Sequence, residues 1–160
     1  MHVDPLEKKW MYVVAFITVV MVGSMTYAAI KMNLHPPSNV EAIDPKTLHL
    51  SGEFTEDNLG VTTNEDGSIT VRMVAARYSF YPQMIEVPVD TPVTFRITSP
   101  DVLHGVHVPF TNMSTMVVPG YVSEVTTTFL YEGEALFLCN EFCGLGHDYL
   151  WSMLKVVPKG

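Results

Sequence analysis

The sequence predicts a mainly β protein, a Greek-key sandwich or barrel, carried on one N-terminal transmembrane helix. Three observations lead there. Residues Trp10 to Ile30 run 21 positions without a charge. From Ser68 onward, apolar and polar residues alternate with period two in short runs, as in Val93, Phe95 and Ile97 against Thr94, Arg96 and Thr98. Pro88, Pro92, Pro100, Pro109 and Pro119 punctuate those runs, and many short strands between turn signals mark a sandwich or barrel.

Taken in order, residues 1–9 are a short polar tail and 10–31 the transmembrane helix. At ~1.5 Å per residue the apolar run reaches ~30 Å, the thickness of a bilayer's hydrocarbon core. A cleaved signal peptide has a shorter apolar core of ~7–15 residues, so length favours a retained anchor, although Ala28 and Ala29 would suit cleavage. Lys8 and Lys9 precede the run and Lys31 follows it, which places the N-terminus on the cytoplasmic side of a cell membrane and the rest outside. Residues 32–67 read as a linker and irregular segment, with His35-Pro36-Pro37-Ser38 near its start and a turn at Asn64-Glu65-Asp66-Gly67. The β-domain is placed at 68–160, with strands at 68–76, 83–88, 93–98, 104–109, 121–130, 134–139 and 151–157. No soluble helix of useful length is expected, and no internal repeat is visible.

Charge narrows the partners. From Met32 to Gly160 there are 6 Lys and Arg against 15 Asp and Glu, a net charge of −9. That balance suits a cationic partner or simple solubility and argues against nucleic acid. No Gly-rich phosphate loop or Ser/His/Asp pattern supports a hydrolase.

The chemistry concentrates in CNEFCGLGH and SPDVLHGVHVP. Cys139 and Cys143 are the only cysteines, His147 closes their loop, and His104 stands upstream. Two thiols and two imidazoles are soft and borderline donors, suited to copper or zinc rather than calcium or magnesium. Three readings compete. A disulfide is the default outside the membrane but would close a very small loop. Structural zinc would use all four residues, though its sites more often carry a Cys-x-x-Cys pair. A mononuclear blue-copper site needs one cysteine and leaves the second unused.

SPDVLHG followed by CNEFCGLGH resembles subunit II of haem-copper oxidases, which carries the binuclear copper centre known as CuA. The resemblance is strongest to the b-family, ba-type form, whose subunit II has a single membrane helix. It extends to Asp44-Pro45-Lys46-Thr47, Tyr78-Ser79-Phe80-Tyr81-Pro82, Ile85-Glu86-Val87-Pro88 and Phe95-Arg96-Ile97-Thr98-Ser99-Pro100. It implies a cupredoxin-like fold and two copper ions bridged by the sulfurs of Cys139 and Cys143. His104 would bind one copper and His147 the other, with the Glu141 carbonyl as a weak axial ligand. The family's axial thioether falls at Leu150 here. Either the site lacks it, or Met153 reaches in by a shifted loop; in a strand Met153 would face away, which favours a site without it. Axial ligation mainly tunes potential, so its loss should leave copper binding intact and raise the potential.

Asp101, three residues before His104, is a candidate to fix that imidazole's tautomer, or else a turn-capping Asp after Ser99-Pro100. His107 reads as a supporting or interface residue, because in an extended segment it faces away from His104. The resemblance places Tyr78 and Phe80 near the copper loop, where an electron would be taken in. Trp151 is expected to pack beneath the metal, and Met113 and Met116 to pack or help cover the site.

The function implied is the electron-accepting subunit of a membrane haem-copper oxidase. Electrons would come from cytochrome c or a similar small carrier and pass to haem in subunit I, where dioxygen is reduced. Haems are expected only in that partner subunit. A haem-copper nitric oxide reductase subunit is the alternative with the same site. A membrane-tethered copper-delivery module is the alternative of another class.

Overall fold

A computed structural model describes residues 4–31 and 41–159 of the 160-residue chain. They form two compact units, residues 4–31 and 41–159. The first holds helix α1, Pro5–Lys31. Asp4 starts it: Oδ1 accepts the Leu6 N–H at 2.8 Å, and Pro5 occupies the first helical position, where no N–H is needed. The helix begins five residues before the apolar run and takes in most of the tail expected at 1–9. Its span Pro5–Ala28 is long and apolar enough to cross a bilayer, and from Trp10 onward it carries no charge before Lys31. The hydroxyls of Thr18, Ser24 and Thr26 bond back to the carbonyls of Val14, Met21 and Val22, so these polar groups need no water.

The second unit is a cupredoxin-like sandwich, with eleven strands among the described residues. Its strands are β1 Glu41–Ala42, β2 Gly60–Thr63, β3 Ile69–Ala76, β4 Ser79–Tyr81, β5 Met84–Pro88 and β6 Pro92–Thr98. Then follow β7 His104–His107, β8 Ser114–Val117, β9 Tyr121–Thr128, β10 Gly133–Leu138 and β11 Trp151–Val157. One sheet runs β1-β9-β6-β3-β2, with β4 also on β3; the other runs β5-β11-β10-β7-β8. Most pairs are antiparallel. β3 with β6 and β11 with β5 are parallel, the crossovers of a Greek-key path.

Alternation decides which face is buried. In β6, Val93, Phe95 and Ile97 are fully buried while Thr94 and Arg96 face outward. Phe95 of the first sheet meets Phe137 of the second at 5.4 Å between ring centroids, and Phe129 edge-on at 6.2 Å. Each such ring contributes roughly 1.5–3 kcal/mol by burial, so this trio stabilises the junction of the two sheets.

The part of 32–67 that is described is not a free linker. β1 and β2 join the first sheet, and short 3-10 turns occupy Pro45–Leu50 and Glu56–Asn58. Buried Leu48 and Phe54 anchor the segment. Arg96, on the outward face of β6, binds Glu53 at 2.5 Å, Glu124 at 2.7 Å and Glu41 at 2.7 Å. This ion network fastens residues 41–58 across the sheet, so the folded unit begins well before residue 68. The run His35-Pro36-Pro37-Ser38 lies outside the described residues.

Candidate metal centre

The candidate ligands come from one end of the second sheet. β10 and β11 stay paired as far as Leu138 with Trp151, and the Cys139 N–H then donates to the Leu150 carbonyl at 3.2 Å. Residues 140–149 therefore form a loop with a closed neck, and β7 brings His104 alongside it. A ring nitrogen of His104 and the sulfurs of Cys139 and Cys143 all lie within 4.8 Å of one another. His147 is not within that group, but its Nδ1 is 3.5 Å from Cys143 Sγ.

Both cysteines are free, with sulfurs 3.9 Å apart. A disulfide needs ~2.05 Å. Two sulfurs that share one metal at ~2.3 Å each can stand no more than ~4.6 Å apart, so the observed gap fits a shared ion. Burial, together with the neighbouring Cys139, pushes the Cys143 thiol up to about 11. Without a cation Cys143 keeps its proton, and a soft metal would displace it.

His104 is fully buried. Its Nε2 lies 2.9 Å from Asp101 Oδ1, while Nδ1 has no hydrogen-bond partner. A buried polar atom left unpaired is costly, and here it supplies the lone pair a metal would take. Burial pulls the Asp101 carboxyl upward, but His104 and the N–H groups of Arg77 and Val102 outweigh it and hold the carboxyl below its ordinary range. Asp101 Oδ1 thus lies beside the His104 ring and also accepts the Val102 N–H at 2.6 Å. The Glu141 carbonyl lies 3.2 Å from Cys139 Sγ, on the site's edge.

Other expected residues are placed differently. Leu150 is 2 % exposed and belongs to the core cluster that also contains Cys143. Met153 shares the outward face of β11 with Trp151 and Lys155 and pairs across to Met84 and Leu136, away from the cluster. Trp151, half exposed on that face, does not pack beneath the site. His107 ends β7 opposite Leu138 and Ser114, outside the ligand group. Met113 is core and Met116 is exposed. Phe80 is fully buried in the core. Tyr78, 41 % exposed, does lie against the ligand loop.

The loop's glycines went unremarked in the sequence. A Cβ on Gly105 would meet Asn140 Oδ1 at 1.9 Å and Glu141 Cγ at 3.0 Å, so glycine beside His104 admits the Cys139–Glu141 segment. A Cβ on Gly146 would meet the Tyr78 ring at 2.6 Å. The signal was present in the pairs His104-Gly105 and Gly146-His147, each a candidate ligand next to a residue without a side chain.

A cupredoxin-like sandwich with a cysteine and histidine cluster at one end, preceded by an apolar helix, defines a membrane-anchored domain with a site suited to a soft metal. Residues 66–157 match the family described as cytochrome C oxidase subunit II, periplasmic domain. The chain belongs to that family. It is 34 % identical over 152 residues to a cytochrome c oxidase subunit 2 of Thermus thermophilus, covering 94 % of this chain and 90 % of that one. A second Thermus thermophilus subunit 2 is 38 % identical over 121 residues, 76 % of this chain and 90 % of the other. Among solved structures, a chain of a haem-copper terminal oxidase dimer superposes with a TM-score of 0.76 at 25 % identity, over 95 % of this chain and 99 % of that one. The periplasmic domain of subunit II (CoxB) of Bradyrhizobium japonicum shares the fold, with a TM-score of 0.52 at 18 % identity over 56 % of this chain and 83 % of that one. The chain is thus the electron-accepting subunit of a cytochrome c oxidase complex, anchored in the membrane with its copper-type domain on the outer face.

Proposed function

We propose that Cys139, Cys143, His104 and His147 hold a binuclear copper centre, with both sulfurs shared and one imidazole on each ion. The observation that carries this reading is the placement of the two histidines. His104 groups with both sulfurs, whereas His147 stands beside Cys143 outside that group. A single tetrahedral ion needs all four donors around one point, and two ions need one imidazole on each flank. The Glu141 carbonyl would add a weak oxygen donor, and Leu150 would supply bulk without one.

Copper held there supplies a one-electron couple. The protein's part is to fix the donors in advance, so that little moves when charge changes. Asp101 sets the His104 tautomer, Gly105 lets the cysteine loop settle beside it, and the sandwich keeps the loop's neck closed. Phe142 and Leu145, 79 % and 97 % exposed, form an apolar rim beside His147, and the Phe142 ring lies 5.9 Å from that imidazole. This rim within an acidic domain suits a carrier with an apolar contact ringed by cations, such as a cytochrome c. Electrons would pass on to haem in subunit I, where dioxygen is reduced. The N-terminus lies in the cytoplasm and the copper domain outside the cell membrane.

Copper content and the spectrum of the full chain in detergent test the reading. Two coppers per chain, a purple colour and a seven-line hyperfine pattern are expected. One metal per chain, or a colourless zinc protein, overturns it.

A further inference from the structure

We propose that Tyr78 is a positioning residue for the ligand loop: its ring, tied back through Asp101, holds the backbone at Gly144 and Gly146 and so keeps His147 against Cys143 before metal arrives. The inference rests on the copper reading above.

The Tyr78 ring occupies the space that side chains would take on both glycines. A Cβ on Gly146 would stand 2.6 Å from Cγ and 2.7 Å from Cδ2, and one on Gly144 would stand 3.0 Å from the Tyr78 hydroxyl oxygen. His147 follows Gly146 directly, and its N–H donates to the Gly144 carbonyl at 3.1 Å. The ring therefore rests on the turn that aims this imidazole. Tyr78 is in turn fixed from the other side. The Arg77 N–H, one residue before it, donates to Asp101 Oδ2 at 2.8 Å, while Asp101 Oδ1 serves His104. One carboxylate thus locates one histidine directly and the other through the tyrosine.

The core does not need this ring. Tyr78 is 41 % exposed, whereas Phe80, two residues on, is fully buried. Removing the Tyr78 ring uncovers the loop rather than emptying the interior.

The test uses the full chain in detergent, metal-free and copper-loaded. Amide hydrogen exchange over residues 144–149 reads the loop without metal, and copper loss to a chelator reads it with metal. Tyr78→Ala is expected to raise both rates about 10-fold, the low end for residues that support metal ligands. Tyr78→Phe, which keeps the ring, should match wild type. Gly146→Ala should impair loading by collision with the ring, and Gly146→Ala with Tyr78→Ala should load better than Gly146→Ala alone. Tyr78→Leu carries the same comparison if alanine costs the fold. Wild-type rates in Tyr78→Ala, or a double variant no better than Gly146→Ala, would overturn the proposal. Failure of wild type to take up copper would instead sink the copper reading, and loop exchange in the metal-free chain would still decide the role of Tyr78.

Discussion

Asp101 presents one carboxylate oxygen 2.9 Å from His104 Nε2, and the imidazole's other nitrogen is left buried and unpaired. The carboxyl is held below its ordinary range, so it is an anion that accepts Nε2–H and leaves the Nδ1 lone pair free. Asp101→Ala should therefore lower copper affinity by ~10–100-fold, the usual effect of removing a residue that orients a metal-bound histidine. Competition against a chelator of known affinity measures it. An unchanged affinity would mean that burial alone orients His104.

The sulfur pair predicts a pH-dependent thiol chemistry. Thiolate is the reactive form, and the Cys143 thiol is pushed up to about 11 by burial and by Cys139. In the metal-free chain its reaction with a small disulfide reagent should be slow at pH 7 and should climb as pH approaches 11. Loading with copper should abolish the reaction of both cysteines. Fast reaction of Cys143 at neutral pH would contradict a buried, protonated thiol there.

Leu150→Met should fit without a large penalty, since Leu-to-Met exchanges in cores usually cost below ~1.5 kcal/mol. Copper stoichiometry should stay the same. The reduction potential should fall, because a weak thioether donor favours the oxidised ion. Potentiometry of the two loaded chains decides it, and an equal or higher potential would show that residue 150 does not face the metal.

The rim beside His147 predicts the docking face. Leu145 is 97 % exposed and is not part of the buried core. Leu145→Lys should leave the copper spectrum intact and slow electron transfer from reduced cytochrome c by about 10-fold, the loss expected at a binding hot spot plus repulsion of a cationic partner. Stopped-flow mixing would reveal it; a wild-type rate would move docking elsewhere.

Arg96 predicts an acid limit of the fold. Its hydrogen bond to Glu53 is the main reason that carboxyl lies below its usual value. A depressed carboxylate adds stability above its unfolded pKa, about 4.3, and loses it as pH falls through the lower folded value. Arg96→Met should cost ~2 kcal/mol at pH 7, less than the 3–5 typical of fully buried pairs, because Glu53, Glu124 and Glu41 are 26 %, 29 % and 49 % exposed. The gap from wild type should narrow below about pH 4. Urea unfolding at pH 7 and pH 3.5 provides the comparison.

Period-two alternation made β3, β5, β6, β9, β10 and β11 legible because each sets one face against the core, whereas β7 is buried at three successive positions. β2 is exposed along most of its length, so its residues carry no alternation to read. β1 and β4 are two and three residues long, and partner strands rather than propensity define them. The segment 41–58 read as loop because charged residues fasten it, and Arg96 recognises Glu53 across 43 positions of sequence. In the site, donor type and spacing made the cysteines and histidines legible. The close approaches at Gly105 and Gly146 were not, since they depend on which distant side chain arrives there. Tyr78 and Phe80 show the same limit, since which of two neighbouring aromatics is buried depends on the turn between them. Tyr78 sits in the turn before β4 and reaches the rim, while Phe80, inside the strand, turns into the core.

His104 is sealed from solvent, whereas His147 stays partly open to it. The two flanks of the centre therefore lie in different dielectric surroundings. Rearrangement of bulk water after each change of charge falls on the His147 side, and the His104 side must respond through fixed dipoles, Asp101 chief among them. Viscosity, ionic strength or heavy water in the medium will then be felt asymmetrically, with the outward imidazole's resonances shifting and the inward one's holding still.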